Sequence, residues 1–495
     1  MNATSQAIGS RRELFIDDML IERLAGKAEQ RLQQPQPRDL ALTHDAPWEG
    51  TGSGYHSVFR DGDHYRMFYK AWHLDASSGK LRTDSHPLFL CTAESDDGIV
   101  WRKPNLGLHE FQGSKVNNIV VVPGQFGDLK ADPGHAAVFK DDNPAATADA
   151  RYKAIFRSSG ARGLMPFKSP DGLNWTPMTE TPVITDGAFD SQNLAFWDAE
   201  RGVYRAYWRY FTAGTIDDKQ WKPAGDRAIR TAVSTDFVQW KQQADLTYVD
   251  SPSEQMYTNQ VKPYHRAPHL LIGIPTRYID RGWSESMRQL PDLAARESRA
   301  KANQRYGTAI TEALLMCSRD GVRFKRWNEA FLPPGIEREG TWQYGQQYVA
   351  WHLVETKSSL PGAPNELSLY ASESYWTGNS SALRRYTLRL DGFVAIHAPR
   401  SGGSLLTKPF TFTGQRLSVN FATSAVGSVR FELRTADDRA IDGYRLDDCA
   451  EMFGDSLDRS VTWKSGSDVS RLNGQPVRMF VELKDADLFS FCFTA

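Results

Sequence analysis

Cysteine is scarce in this chain. The four present, Cys91, Cys317, Cys449 and Cys492, show no CxxC spacing in 495 residues. That excludes a disulfide framework and a thiolate zinc site. No run approaches 18 apolar residues, so no membrane-spanning helix is expected. Met1 to Arg12 lacks the apolar core of a secretory signal. Neither sign of charge dominates: 59 Lys and Arg face 60 Asp and Glu, a formal net charge of −1. A balance that close removes the general electrostatic reason to bind nucleic acid or an anionic membrane. Helix-forming stretches are nearly missing too, the exception being Ser284 to Gln304, rich in Ala, Arg, Glu and Gln. Together these absences give the expectation of a cytoplasmic protein with no nucleic-acid or membrane partner, and they leave oligomeric state open.

What the chain has is aromatics and a repeat. It carries 14 Trp, 18 Tyr and 25 Phe, an enrichment that suits β-structure and, secondarily, stacking on sugar rings. Four segments align without gaps: Ser95-Asp96-Asp97-Gly98-Ile99-Val100-Trp101, Ser169-Pro170-Asp171-Gly172-Leu173-Asn174-Trp175, Ser234-Thr235-Asp236-Phe237-Val238-Gln239-Trp240 and Ser318-Arg319-Asp320-Gly321-Val322-Arg323-Phe324. Their aspartates lie 74, 65 and 84 residues apart. Asp bonds its own backbone two residues on and Gly accepts positive φ, so each segment predicts a tight turn between strands. The apolar residue and the aromatic two positions later then share a strand face.

Paired strands precede each turn, among them Tyr55 to Arg60 with Tyr65 to Trp72, and Leu194 to Trp197 with Tyr204 to Arg209. The unit is a four-stranded antiparallel blade. A fifth unit keeps the order with Tyr348 to Glu355, Glu366 to Ser372, Leu383 to Leu390, Asp391-Gly392 and Phe393 to Ile396. The expected fold is therefore all-β: a five-bladed β-propeller over 45–398 and a β-sandwich of short alternating strands over 399–495. Segment 1–44 precedes them, and its Glu13-Leu14-Phe15-Ile16 strand is the candidate to close the ring. The helical stretch interrupts blade four and is expected to lie over one propeller face.

Loops entering the innermost strands crowd one mouth of a propeller, so polar residues there converge. The candidate catalytic carboxylates are Asp190, Glu254, Glu49 and Asp132. The candidate substrate-binding residues are His56, His135, Gln192, Asn193, Tyr257, Asn259, Arg277, Gln343 and Tyr344. Paired carboxylates around a polar cleft are what glycosidic cleavage needs, one protonating the leaving oxygen and the other activating water or attacking the anomeric carbon. No HxH or HExxH spacing occurs, so no metal ligands are assigned and no cofactor is expected; a divalent ion at the channel axis stays an open alternative.

The blades, the Ser-x-Asp-Gly-x-x-Trp turns and the C-terminal strands resemble the five-bladed glycoside hydrolases of families 32, 43 and 68. Leu14-Phe15-Ile16-Asp17-Asp18, Phe189-Asp190-Ser191-Gln192-Asn193 and Arg385 to Phe393 are similar to a family-32/43-like bacterial subgroup. The resemblance implies an acid in each of the first three blades, sharing the roles of base or nucleophile, stabiliser and general acid. The chain departs from that pattern: no Asn-Asp-Pro-Asn-Gly opens blade one, Asp132-Pro133 is offset from its strand, and Asp190 stands where Glu would be. The expected function is hydrolysis of a furanoside or other small glycan. Glycosyl transfer or phosphorolysis on the same scaffold is the alternative, which needs Arg and His clustered beside the acid, and a non-catalytic carbohydrate-binding propeller is the third reading.

Overall fold

The computed structural model describes residues 5–75, 78–158, 160, 162–216 and 221–495. Five sheets form a five-bladed β-propeller. Blade one is Gly54–Asp61, His64–Ala71, Phe89–Ser95 and Ile119–Val121; blade two is Ala131–Lys140, Tyr152–Ser158, Gly163–Ser169 and Thr176–Pro177. Blade three is Leu194–Asp198, Val203–Ile216, Trp221–Ser234 and Trp240–Asp245. Blade four runs Lys262–Tyr264, Ala267–Gly273, Met316–Ser318 and Arg323–Arg326, with Thr247–Val249 added in parallel at its outer edge. Blade five is Val354–Thr356, Glu366–Glu373 and Ala382–Arg389. Strand alternation explains the packing. In His64–Ala71, Met67 and Tyr69 join the core shared with blade five, while Phe68 faces the core shared with blade two. Blades buried on both faces read as nearly continuous apolar and aromatic runs.

The repeated turn does more than reverse the chain. In blade one Ser95 Oγ accepts from Gly98 N at 2.9 Å, and Asp97 Oδ1 accepts from Ile99 N at 2.7 Å and Val100 N at 2.9 Å. The same bonds recur at Asp171 and Asp320, and Asp236 accepts from Val238 N and Gln239 N. The glycines take φ of +71°, +78° and +83°, and Phe237 holds the equivalent position at +68°. Each turn docks on the preceding blade. Tyr370 of blade five donates to the Gly98 carbonyl, Arg66 of blade one donates to Asp171 O at 2.6 Å, and Tyr207 of blade three donates to Gly321 O at 2.9 Å. In blade three the Phe237 ring packs 5.7 Å from Phe139 of blade two instead. Blade five completes the circle, since Tyr264 of blade four donates to Asp391 Oδ1 at 2.8 Å.

Two expectations need correcting. The ring is closed by Gln36–Thr43, which pairs antiparallel with Ala382–Arg389 as the outer strand of blade five. Glu13–Leu14, the strand proposed for that role, pairs with Val477–Thr494 of the second sheet. With its outer edge occupied, blade five has no room for the strand after Asp391-Gly392. Val394–Ala398 instead leaves the propeller and pairs with Glu29–Leu32 and Val477–Thr494. The second sheet thus draws strands from both chain ends, so the hydrogen bonding does not follow a division at 44 and 398. Its two long strands, Arg416–Thr435 and Val477–Thr494, are paired along their lengths and shift register between Thr423 and Ser428. Leu417, Val419 and Phe421 before the shift and Val429, Phe431 and Leu433 after it enter one core.

The helical insertion is three short pieces, Glu285–Gln289, Leu293–Ala302 and Arg305–Thr308. Pro291 and Asn303 interrupt it. Two fully buried arginines fasten it to the loops of blade five. Arg296 donates to Trp342 O at 2.5 Å; Arg299 donates to Trp376 O at 2.7 Å and to Gln343 Oε1. Backbone carbonyls hold these cations, and burial pulls both guanidinium groups down to about 10.

If the turn carboxylates hold the blades, Asp171→Ala removes two backbone-capping bonds and loosens the contact with Arg66. The expected cost is about 1–2 kcal/mol of unfolding free energy, read from denaturant titration. A change below about 0.3 kcal/mol would show that the turn is only a connection.

Candidate functional site

Side chains bridge the channel below the mouth. Gln192 donates to Tyr55 O at 3.0 Å, and its Oε1 accepts from Gln260, which also reaches Val349 O. Trp351 donates to Val261 O at 2.9 Å. These bonds tie the inner strands together, and Gln192 and Asn193 serve the backbone there. Asn193 caps its own loop through Phe189 O and Ser191 O, and Asn259 accepts from Val261 N at 3.4 Å. His56 is sealed below the mouth, its Nε2 3.0 Å from His44 Nε2, and burial holds its imidazole well below the usual range. Gln343 is committed to Arg299 and Asp292.

Two candidate carboxylates lie in closed ion pairs. The Glu49 side chain is fully buried: Oε1 accepts from Tyr69 at 2.5 Å, and Oε2 from Lys103 at 2.6 Å and Ala46 N at 3.0 Å. No substrate reaches it. Glu254 is held by Arg277 at 2.7 Å and Arg326 at 3.1 Å, and Arg277 also binds Glu312. Glu254 and Arg277 therefore stabilise blade four rather than face the mouth.

Asp132, His135, Asp190, Tyr257 and Tyr344 do meet. Asp132 Oδ2 lies 2.7 Å from His135 Nδ1, and Gly134 N donates to its other oxygen at 2.8 Å. A carboxylate can only accept, so Nδ1 carries the proton and Nε2 is the free nitrogen. Burial pushes the Asp132 carboxyl up, but His135, Gly134 and Arg157 outweigh it and hold it well below the usual range. From His135 the wall continues through stacked phenols: Tyr55 at 5.7 Å, Tyr348 6.0 Å beyond it, and Tyr257 5.2 Å from Tyr348. Tyr344 donates to Tyr257 OH at 2.9 Å. Arg209 lies 4.9 Å over the Tyr257 ring and pairs with Asp190. For Asp190, burial pushes the carboxyl up, and Arg209, His135 and Arg157 pull it below the ordinary value. Its side chain is nevertheless 43% exposed.

Asp190 stands on the common edge of two pockets. One, of about 410 Å³, includes Arg157, Arg162 and Phe189; the other, of about 350 Å³, includes Arg209, Arg227, Tyr257, Tyr278 and Arg305. Both volumes fall in the lower part of the range of about 300–1,000 Å³ typical of small-molecule sites. Arg209, Arg227, Arg305, Tyr278 and Lys70 were not among the expected site residues. A lone charge inside the aromatic run Tyr207-Trp208-Arg209-Tyr210 was the one available signal. Arg305 arrives on the helical insertion and carries none. Among the described residues no group of three or more His, Cys, Asp or Glu is placed to hold a metal.

No family model and no curated protein matches the chain. In fold it is similar to solved structures of low identity. A thermostable family-43 glycoside hydrolase shares 10% identity, with 70% of this chain and 93% of that one covered at a TM-score of 0.43. The endo-arabinase from Bacteroides thetaiotaomicron shares 11%, with 71% and 98% covered at 0.39. An N-acetylgalactosamine deacetylase from F. plautii, solved with blood group B trisaccharide, shares 13%, with 74% and 94% covered at 0.41.

Lys70 lies behind the phenols, its Nζ 3.0 Å from Tyr375 OH and 4.5 Å over the Tyr55 ring. Burial lowers its ammonium to about 7. The unfolded chain, with Lys near 10.4, then binds more protons between pH 7 and 10, so this group makes stability rise with pH across that window. Lys70→Met is expected to flatten the rise in melting temperature between pH 6.5 and 9.5. An unchanged slope would mean that Lys70 stays fully charged.

Proposed function

We propose that the protein is a glycoside hydrolase whose reacting bond lies between the two pockets that meet at Asp190. The observation that carries this reading is an exposed, arginine-held carboxylate at a pocket junction beside an imidazole oriented by a second carboxylate. Asp190, kept ionised by Arg209, is the group to activate water or attack the anomeric carbon. In its doubly protonated form His135 keeps Nδ1–H on Asp132 and gives the proton on Nε2 to the leaving oxygen as the glycosidic C–O bond breaks. Asp132 acts through His135 as a positioning residue. The buried phenols of Tyr257, Tyr344 and Tyr348 form the floor behind the site, and of the three Tyr257 reaches the pocket wall.

A screen of aryl glycosides and oligosaccharides tests the reading. Asp190→Asn is expected to lower kcat by a factor of about 10²–10⁴ in a chain that still folds, as circular dichroism would check, and His135→Gln to do the same. Retention of full activity by Asp190→Asn would overturn the assignment.

The pH profile gives a second test. Activity needs ionised Asp190, so the acid limb of the profile lies below the ordinary carboxylate value of about 3.9. Arg209→Met removes the main opposing charge and is expected to move that acid limb upward. A limb that does not move would assign the base elsewhere.

A further inference from the structure

The whole chain is nearly neutral, yet the two pockets flanking Asp190 gather five arginines against two carboxylates, Asp190 and Asp280. Two of these arginines have no carboxylate partner among the described residues. Arg227 bonds the neutral amide of Gln255 and lies 4.3 Å over the Tyr278 ring. Arg305 donates to Tyr306 OH at 3.3 Å and lies 4.5 Å over that ring, while its NH1 is buried with no partner. Asp280 does not answer them, its Oδ1 being taken by Thr308 at 2.7 Å and Gly282 N at 3.1 Å. A guanidinium presents five donors in a planar fork matched to a carboxylate, and a buried donor without an acceptor costs stability. A bound carboxylate would supply the missing acceptor.

Building on the hydrolase reading, we propose that the substrate is an anionic glycan, with the carboxylate of a uronic acid residue bound by Arg227 and Arg305 in the pocket on the Tyr257 side of Asp190. An inorganic phosphate offers the same oxyanion chemistry. The pocket, however, is also lined by the half-buried Phe211 and the buried rings of Tyr257 and Tyr278, apolar surface that a sugar's C–H groups can cover and a free phosphate cannot. Both arginines sit on projections above the mouth: Arg227 on the long hairpin of blade three, Arg305 on the helical insertion. The anion site is therefore assembled by elements added to the blade pattern.

The test is calorimetric titration of the full chain with glucuronate- and galacturonate-containing oligosaccharides, their carboxyl-reduced counterparts, and inorganic phosphate. The acidic oligosaccharide of at least one pair is expected to bind about tenfold or more tighter than its reduced form. Arg227→Met and Arg305→Met should each erase that preference while changing the melting temperature little, with Arg305→Lys restoring part of it. Equal affinity for acidic and reduced forms, acidic binding untouched by both substitutions, no binding by any glycan, or binding of phosphate alone would each overturn the proposal. Phosphate binding alone would point to phosphorolysis. The two claims separate cleanly. Uronates bound but never cleaved leave the anion site standing and remove the hydrolase; neutral glycans cleaved with no gain from uronates do the reverse.

Discussion

The structure depends on a ring of five turn-to-blade contacts. Four of the five Asp-centred turns are satisfied internally by their own carboxylate, which leaves an outward carbonyl or ring free to engage the preceding blade. Three of these contacts are hydrogen bonds from Tyr or Arg to a turn carbonyl, one is aromatic packing through Phe237, and the fifth uses the side chain of Asp391. Because every blade both gives and receives one such contact, no blade is an end. The pleated strands supply area and the turns supply registration, and the inner strands are thereby held close enough for a Gln and Trp lattice to bridge the channel.

Asp391 has a second duty. It is fully buried with φ of +63°, and its oxygens accept from Tyr264, Arg266, Asn420 and Ser490, with Arg12 3.3 Å away. Those partners come from blade four, the N-terminal segment and the second sheet. Burial pushes its carboxyl up, but Arg12, Arg266 and the hydroxyl donors outweigh it and keep it ionised. Arg319 joins the same region by binding Glu13 at 2.9 Å and Asp17 at 2.6 Å. The two parts of the molecule are thus joined by buried charges paired with opposite charges, the condition under which such charges are tolerated.

What was legible in the sequence was local. The four Ser-x-Asp turns could be read because all the atoms that make them lie within seven residues. The closing strand Gln36–Thr43 could not, since it contains a proline and meets its partner 339 to 351 residues away. The same distinction separates the site residues. Asp132 and His135 are three apart and form their pair locally, and Asp190 opens an inner strand as expected. Glu49 was misplaced because what buries it, Lys103 and Tyr69, is remote in sequence; Glu254 was misplaced because Arg277 and Arg326 are. Gln192 and Asn193 have the right position but spend their amide N–H groups on backbone carbonyls, which lowers the cost of burying a polar inner strand.

The propeller therefore supplies rigidity, and the chemistry comes from one rim where the pattern is broken by an extended hairpin, a pinned helical insertion and an Asp–His pair. The most direct measurement of that account is a crystal structure of the Asp190→Asn variant with a bound oligosaccharide. The account predicts a glycosidic oxygen within about 3 Å of His135 Nε2, with sugar rings in both pockets on either side of position 190. A glycan bound along the phenols with no glycosidic oxygen in reach of His135 would contradict it.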